Sequence, residues 1–299
     1  MAETLCGLVN ICKLPGMSSH DVVYQMRKIT GVKRVGHTGT LDPAACGVLP
    51  VCVGTVTRLA DYINAGPKSY RAEILFGLTT DSGDAKGEIT ARQDAGHLRE
   101  ADIRAALLCF TGTFRQRPPR VSAVWIEGRR AYHLAREGKE VEMPEREVTV
   151  HEFTPVRLQH GVYPRLLADI TVSKGTYIRG LARDLGEALG VGAMLSFLAR
   201  TAVGNCRLAD AVTTFELAEE AERGELPRRL RPADEALPHI PALAAPAMRD
   251  SYRHGVQVRV REPSGLYRVY IEGEFAGLGQ VKEGILTPSV NLIASESDK

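Results

Sequence analysis

Read by the alternation of apolar and polar positions, the chain breaks into short strands, amphipathic helices and turns marked by glycine. Leu8 to Cys12 reads as an apolar strand; Ser18, with Asp21 three residues on, forms a capping-box pattern opening a helix that Gly31 closes. The run LPVCVG predicts another strand, and a short helix is expected from Thr57 to about Ile63. In KSYRAEILFG, residues 68–77, Tyr70, Ala72, Ile74 and Phe76 share one face while Arg71 and Glu73 take the other. That period of two is the mark of a half-buried strand. The polar turn TTDSGDAKGE follows, then an amphipathic helix over residues 98–110 ended by Gly112, and a short helix in RRAYHLAREG closed by Gly138. Strands are expected near 148–158 and 166–173. Thr176 then reads as the N-cap of a helix from Tyr177 to Leu189, with Gly190 just past its end. Five prolines in residues 225–246 predict a domain linker. Beyond it, the alternation of Val256, Val258 and Val260 and the stretch LYRVYIEGEFAGLGQV predict a small β-rich domain.

Composition adds a size and a charge distribution. With 299 residues and 44% apolar content the chain can fill the core of one large domain, or of a large and a small one. Its 38 Lys and Arg against 36 Asp and Glu give a net charge of +2, which neither announces nor excludes an acidic partner. The arginines are uneven: Arg115, Arg117, Arg120, Arg129, Arg130 and Arg136 face one acid, Glu127, for a local balance of +5. That is either the footprint of a polyanion or a solvated charged face. The cysteines Cys6, Cys12, Cys46, Cys52, Cys109 and Cys206 form no C-x-x-C pair, and read as reduced thiols packed as small hydrophobes, with no metal site. MAETLCGLVNICKLPG lacks a basic flank before an apolar core, and nowhere do eighteen uncharged apolar residues run together. A cytoplasmic protein with no membrane span is expected.

The candidate chemistry starts at VGHTGTLDPAACGVLPV, residues 35–51, where a lone acid, Asp42, precedes Pro43 among glycines. The proline ring pushes Asp42 toward extended backbone. A carboxylate held at a fixed angle can serve as a nucleophile, and an Asp-Pro pair can equally be a plain turn. Arg179 falls in the first turn of its expected helix, where a cation meets the positive end of the helix dipole at a cost of roughly 0.3–1 kcal/mol. An anion facing it, Asp42 or a phosphate, would account for it, as would solvent. Tyr70 and Tyr177 are core filler or stacking surfaces for a base, and His37 is a loop hydrogen-bonder or a pocket neighbour. Asp81 and Asp84 lack the spacing of a calcium loop. On the residues alone, these alternatives stay open.

Five blocks in order, KLPGMSSHDVV, VGHTGTLDPAACGVLPVCVGTVTR, KSYRAEILFGLTTDSGDAKGE, PPRVSAVWIEGRRAYHLAREGKEVE and SKGTYIRGLARDLGEALGVGAMLSFLART, resemble the TruB-type tRNA pseudouridine synthases over most of residues 7–210. The resemblance implies an α+β fold: a pseudouridine synthase catalytic domain over 1–235 with a large mixed, mainly antiparallel sheet. It also implies an RNA-clasping insertion at about 115–142 and a small PUA-like RNA-binding domain over 240–295. It implies an isomerase acting on the T-loop uridine of tRNA without metal or organic cofactor, as a monomer on the T-arm. Asp42 matches the nucleophile, Tyr70 the tyrosine that stacks on the base, and Arg179 the arginine paired with the aspartate. His37, Tyr177 and Leu198 match residues lining the site, Asp84 an acid near the target nucleotide, and Lys13 a basic residue of the N-terminal motif. Arg120, Arg129 and Arg130 are expected to contact phosphates. Two departures stand out: Lys13-Leu14-Pro15-Gly16 carries its proline one place late, and Leu198 is followed by Ala199 and Arg200 where two basic residues are usual. The rival expectations are a tRNA-folding chaperone, for which Asp42, Tyr70 and Arg179 would be dispensable, and a guide-RNA-dependent synthase subunit, against which the long insertion argues.

Overall fold

The computed structural model describes residues 5–119, 121–122, 124–126, 128–130, 137, 143–245 and 252–293, with the backbone only at Trp125 and Arg130. The first part of the chain forms β1 (Gly7–Lys13), α1 (Ser19–Thr30), β2 (Val35–His37), β3 (Cys46–Val53), α2 (Ala60–Ile63), β4 (Lys68–Phe76), β5 (Leu78–Thr80), β6 (Ile89–Arg92) and α3 (Glu100–Cys109). There follow β7 (Gly112–Gln116), β8 (Trp125–Ile126), β9 (Arg129–Arg130), β10 (Arg146–Gln159), β11 (Arg165–Val172), α4 (Ile178–Ala188), β12 (Ala193–Val203), β13 (Cys206–Arg207) and α5 (Thr214–Glu222). The last strands are β14 (Ala242–Ala245), β15 (Val258–Arg259), β16 (Gly265–Ile271), β17 (Glu274–Lys282) and β18 (Ile285–Asn291).

A nine-stranded sheet runs β1-β3-β12-β4-β11-β10-β7, with β2 on β3 and β13 on β12. Its described pairs are antiparallel except β12 with β3, where Ala199 faces Cys46 and Arg200 faces Gly47. On its other side β12 pairs with β4, and Arg200 there faces Tyr70. This arrangement sets the loop before β3 beside the middle of β12, with β4 as the next neighbour. Residues near 42, 70 and 198–200 therefore meet at one place in the sheet.

The period of two in β4 has its expected consequence. Tyr70, Ala72, Ile74 and Phe76 are buried, in one core with Leu166, Ala168 and Ile170 of β11 and with Ile178, Leu181 and Leu185 of α4. On the opposite face Arg71 pairs with Asp169 at 2.8 Å and Arg165 with Glu73 at 3.0 Å. Helix α1 covers the other end of the sheet, where Val22, Val23 and Met26 pack on Ile11, Leu49 and Val51. Its ends form as the sequence predicts: Ser18 and Asp21 make the reciprocal capping box, and Gly31 takes the left-handed conformation at φ 67°.

Several expectations change. The helix expected from Thr57 begins as a 3-10 turn, Gly54–Leu59, and becomes α-helical only at Ala60. In RRAYHLAREG, Arg129 and Arg130 pair with Ile126 and Trp125 as a small hairpin, while residues 131–136 and 138 lie outside the described residues. Thr176 does not cap α4: its hydroxyl donates to the Ser173 carbonyl at 3.0 Å, and the N-cap is Tyr177. The proline-rich stretch read as a domain linker is itself packed. Its prolines sit among two 3-10 turns, Leu226–Arg229 and Ala233–Ala236, and Leu226, Ala233, Ala236, Leu237 and Ile240 are buried. A five-stranded sheet, β14-β16-β17-β18-β15, follows. Leu278 and Val290 of that sheet share an apolar cluster with Leu8, Val48 and Cys52 of the large one. The prolines mark turns, but the apolar residues between them fill the seam between the two sheets.

Gly47 is the tightest point of the β3–β12 junction. Its φ is +101°, and an added Cβ would lie 2.2 Å from the Arg200 carbonyl oxygen, a backbone atom that cannot step aside. Gly47→Ala is expected to lower unfolding stability by about 2 kcal/mol or more, read as a lower denaturant midpoint at unchanged m value. A midpoint equal to the wild type's would contradict the junction as described.

Candidate active site

Asp42 stands in the loop between β2 and β3, and three side chains hold that loop by its backbone. Ser19, at the start of α1, donates to the Leu41 carbonyl at 3.1 Å and accepts from the Leu41 N–H at 2.9 Å. Lys13, sealed at the end of β1, donates to the carbonyls of Leu14, Met17 and, at 3.4 Å, Pro43. Arg200, 1% exposed, donates to the carbonyls of Val48 at 2.7 Å, Thr40 at 3.2 Å and Gly39 at 3.1 Å. Burying a guanidinium is costly unless its donors are matched, and here each nitrogen finds a carbonyl.

Arg179 is the second residue of α4 and is also buried. Its Nε lies 2.9 Å from Asp42 Oδ2 and 3.8 Å from Asp84 Oδ2. Its Nη1 donates to the Ser82 carbonyl at 2.8 Å and its Nη2 to the Val121 carbonyl at 2.9 Å. The carboxylates supply the anion that a cation at a helix N-terminus calls for. The Asp42 side chain remains 38% exposed, against 5% for Arg179. The carboxylate is therefore gripped from behind and open in front.

In front lies a cleft of about 390 Å³, lined by Asp42, Tyr70, Tyr177, Arg179 and Leu198 among others. That volume falls in the range for a small organic ligand such as a nucleoside. Tyr70 presents a largely buried ring from the start of β4. Lys68, Lys174 and Arg200 make another part of the wall positive. Lys68 donates to the carbonyls of Asn64 and Gly66, and burial, helped by the charges of Arg200 and Lys174, pushes its pKa down to about 8. A second cleft of about 320 Å³ shares Asp42, Arg179 and Leu198 and adds Asp84, Lys86 and Phe197.

The expected residues divide accordingly. Asp42, Tyr70, Tyr177, Arg179 and Leu198 converge on the first cleft, and Asp84 sits behind Arg179, its Oδ1 accepting from Ser82 Oγ at 2.9 Å and the Lys86 N–H at 3.0 Å. Lys13 differs from expectation: with no exposed surface and its ammonium spent on carbonyls, it braces the loop from beneath and does not face the cleft. His37 lies in β2 opposite Val51 and is not among the cleft-lining residues; burial first, then the charges of Arg200 and His20, push its pKa below the usual 6.5. Arg129 is exposed and forked onto Glu137. Arg120 and the side chain of Arg130 lie outside the described residues.

Two residues carry weight that the sequence reading did not give them. Arg200 is one; a charge at an inward-facing strand position was its signal. Gln116, at the end of β7, is the other: fully buried, it accepts from the Tyr177 N–H at 2.9 Å and donates to the Tyr177 carbonyl at 3.0 Å. It holds the N-terminus of α4 where Tyr177 has no side-chain cap of its own.

Comparison with known proteins shows what the chain is similar to. Residues 27–178 match the description "TruB family pseudouridylate synthase (N terminal domain)", and residues 179–238 match "tRNA pseudouridylate synthase B C-terminal domain". The chain is 54% identical over 241 residues to tRNA pseudouridine synthase B of Moorella thermoacetica, covering 80% of this chain and 79% of that one. It is 41% identical over 294 residues to the protein of the same name from Acaryochloris marina, covering 97% of this chain and all of the other. Among solved structures, an H/ACA RNP bound to a substrate RNA containing 2′-deoxyuridine shares the fold at TM-score 0.72 and 23% identity, over 98% of this chain and 86% of that one. A Cbf5–Nop10–Gar1 complex does so at 0.72 and 24%, over 97% and 86%.

The half-buried His37 predicts a pH dependence. The unfolded chain binds a proton on this imidazole near pH 6.5 while the folded protein resists it, so its contribution to stability is lost as pH falls below about 6.5. Between pH 7.5 and 5.5 the wild type should lose up to about 1 kcal/mol more unfolding stability than His37→Gln, measured by urea denaturation. Equal losses would mean that the ring takes up its proton in the folded state.

Proposed function

The chain belongs to the TruB family of pseudouridylate synthases, and on that footing we propose that it converts the T-loop uridine of tRNA, by convention uridine 55, to pseudouridine. The observation that carries this reading is the half-open Asp42 carboxylate, ion-paired to buried Arg179 and facing a cleft walled by Tyr70. Relatives at 54% and 41% identity named for tRNA favour this substrate over a guide-RNA-directed one.

The conversion is an exchange of bonds. The bond from uracil N1 to ribose C1′ breaks, C5 bonds to C1′, the proton on C5 leaves, and N1 gains one. No electrons enter or leave, so the chemistry calls for groups that hold fragments and move protons. A carboxylate can do the first by adding to the nucleotide and leaving again, and we assign that role to Asp42. Arg179 fixes its direction and compensates its charge throughout. The Tyr70 ring offers a stacking face, worth about 1–3 kcal/mol per base, against the few kcal/mol of flipping the uridine out. Its hydroxyl is our candidate for receiving the C5 proton. Leu198 and Tyr177 close the cleft around the base.

The positive wall of Lys68 and Lys174 suits the phosphates that flank a flipped nucleotide, and the basic segment 115–142 suits the rest of the T-arm. In this proposal Arg129 exchanges Glu137 for a phosphate when RNA arrives, and Arg120 and Arg130 act beside it. The protein works as a monomer, in the cytoplasm where tRNA matures. The sheet after residue 240 serves as an RNA-binding unit fixed to the rest by its apolar seam.

Asp42→Asn should lower pseudouridine formation in a T-arm transcript at least about a thousandfold, mapped by mass spectrometry, while RNA affinity stays within about threefold of wild type. Substantial turnover by that variant would remove Asp42 from the mechanism.

A further inference from the structure

Ser122 follows the Pro118-Pro119 pair near the start of the basic segment. It is 4% exposed, and its Oγ has no hydrogen-bond partner among the described residues. Yet it lines the same cleft as Asp42, Tyr70 and Arg179. A buried hydroxyl left unsatisfied destabilises the folded state, and alanine would fill the space without that cost.

The backbone around Ser122 is tied down. The preceding carbonyl, Val121, accepts from Arg179 Nη2 at 2.9 Å. The Arg117 carbonyl accepts from Arg183 at 3.0 Å, and Gln116 is locked to Tyr177 through two hydrogen bonds. Three ties from one helix therefore hold this short segment against the cleft. Ser122 is thereby held in the wall that Asp42, Tyr70 and Arg179 also line.

We propose that the Ser122 hydroxyl is a substrate-contacting group, forming a hydrogen bond to the flipped nucleotide at a uracil carbonyl or at the ribose 2′-hydroxyl. This rests on the uridine-isomerising function proposed above. The substrate supplies the partner that the protein withholds, and it does so only once the nucleotide has entered the cleft. Recognition of the nucleotide then also engages the segment whose neighbouring carbonyl holds Arg179.

Ser122→Ala separates this role from a structural one, because the two move stability in opposite directions. The expected result is a fall in single-turnover rate over Kd of about tenfold on a T-arm transcript, with a melting temperature equal to or above wild type. Ser122→Thr, which keeps the hydroxyl, should recover most of the rate. Transcripts carrying 2′-deoxyuridine, 2-thiouridine or 4-thiouridine at the target locate the contact. The gap between wild type and Ser122→Ala should close on whichever one lacks the contacted oxygen.

Three results would overturn the proposal: a wild-type rate in Ser122→Ala, a melting temperature that falls in step with its activity, or a gap undiminished on all three substituted transcripts. A wild-type protein that forms no pseudouridine would overturn the proposed function and this contact with it. An active wild type matched by Ser122→Ala overturns the contact alone.

Discussion

The site depends on one buried guanidinium. Arg179 reaches Asp42, Ser82 and Val121 with its three nitrogens, and Asp84 lies just beyond the first bond. These partners come from three loops far apart in the chain. A charge this well buried is tolerable only while its partners stay in place; stripping them from a buried cation typically costs about 3–5 kcal/mol. The loops are therefore held to α4, and α4 is held to the sheet by Leu181 and Leu185 in the main core. The direction of the Asp42 carboxylate follows from the packing of a helix whose apolar face joins the main core, with Ile178 reaching the cleft as well.

A second constraint comes from the sheet. β12 lies between β3 and β4, and Arg200 faces Gly47 on one side and Tyr70 on the other. Its guanidinium gathers the carbonyls of Gly39, Thr40 and Val48, fixing the Asp42 loop from below as Arg179 fixes its side chain from above. Lys13 adds a third brace. A carboxylate on a loop is accurately placed only when its supports are rigid, and here the supports are strand and helix residues.

Periodicity made β4 legible in the sequence down to the face that Tyr70 takes, and capping chemistry made both ends of α1 legible. Arg179 in a first helical turn leaves a facing anion and solvent as alternatives, and the fold supplies the anion in Asp42. Other features could not be read because they are made across the chain by side chains meeting backbone. The Gln116–Tyr177 clamp joins residues 61 apart, and nothing local in QRPP announces it. Lys13 matches a basic residue of the N-terminal motif, and its bracing role is hidden because its three carbonyl acceptors lie in loops whose positions the sequence does not reveal. The prolines of 225–246 suggest a domain linker, and proline content reports turns but not what the residues between them bury. His37 shares a loop-rich stretch with Asp42, yet it pairs with Val51 of β3, half-buried and off the cleft lining.

If Arg179 acts by geometry as well as charge, Arg179→Lys separates the two. Lysine keeps the positive charge but cannot span the Asp42 carboxylate and two carbonyls in separate directions. Measured as the single-turnover rate of pseudouridine formation at saturating enzyme, the variant should fall at least about a hundredfold, with RNA affinity within about threefold of wild type. A single-turnover rate close to wild type would show that a nearby positive charge suffices, and would contradict the account.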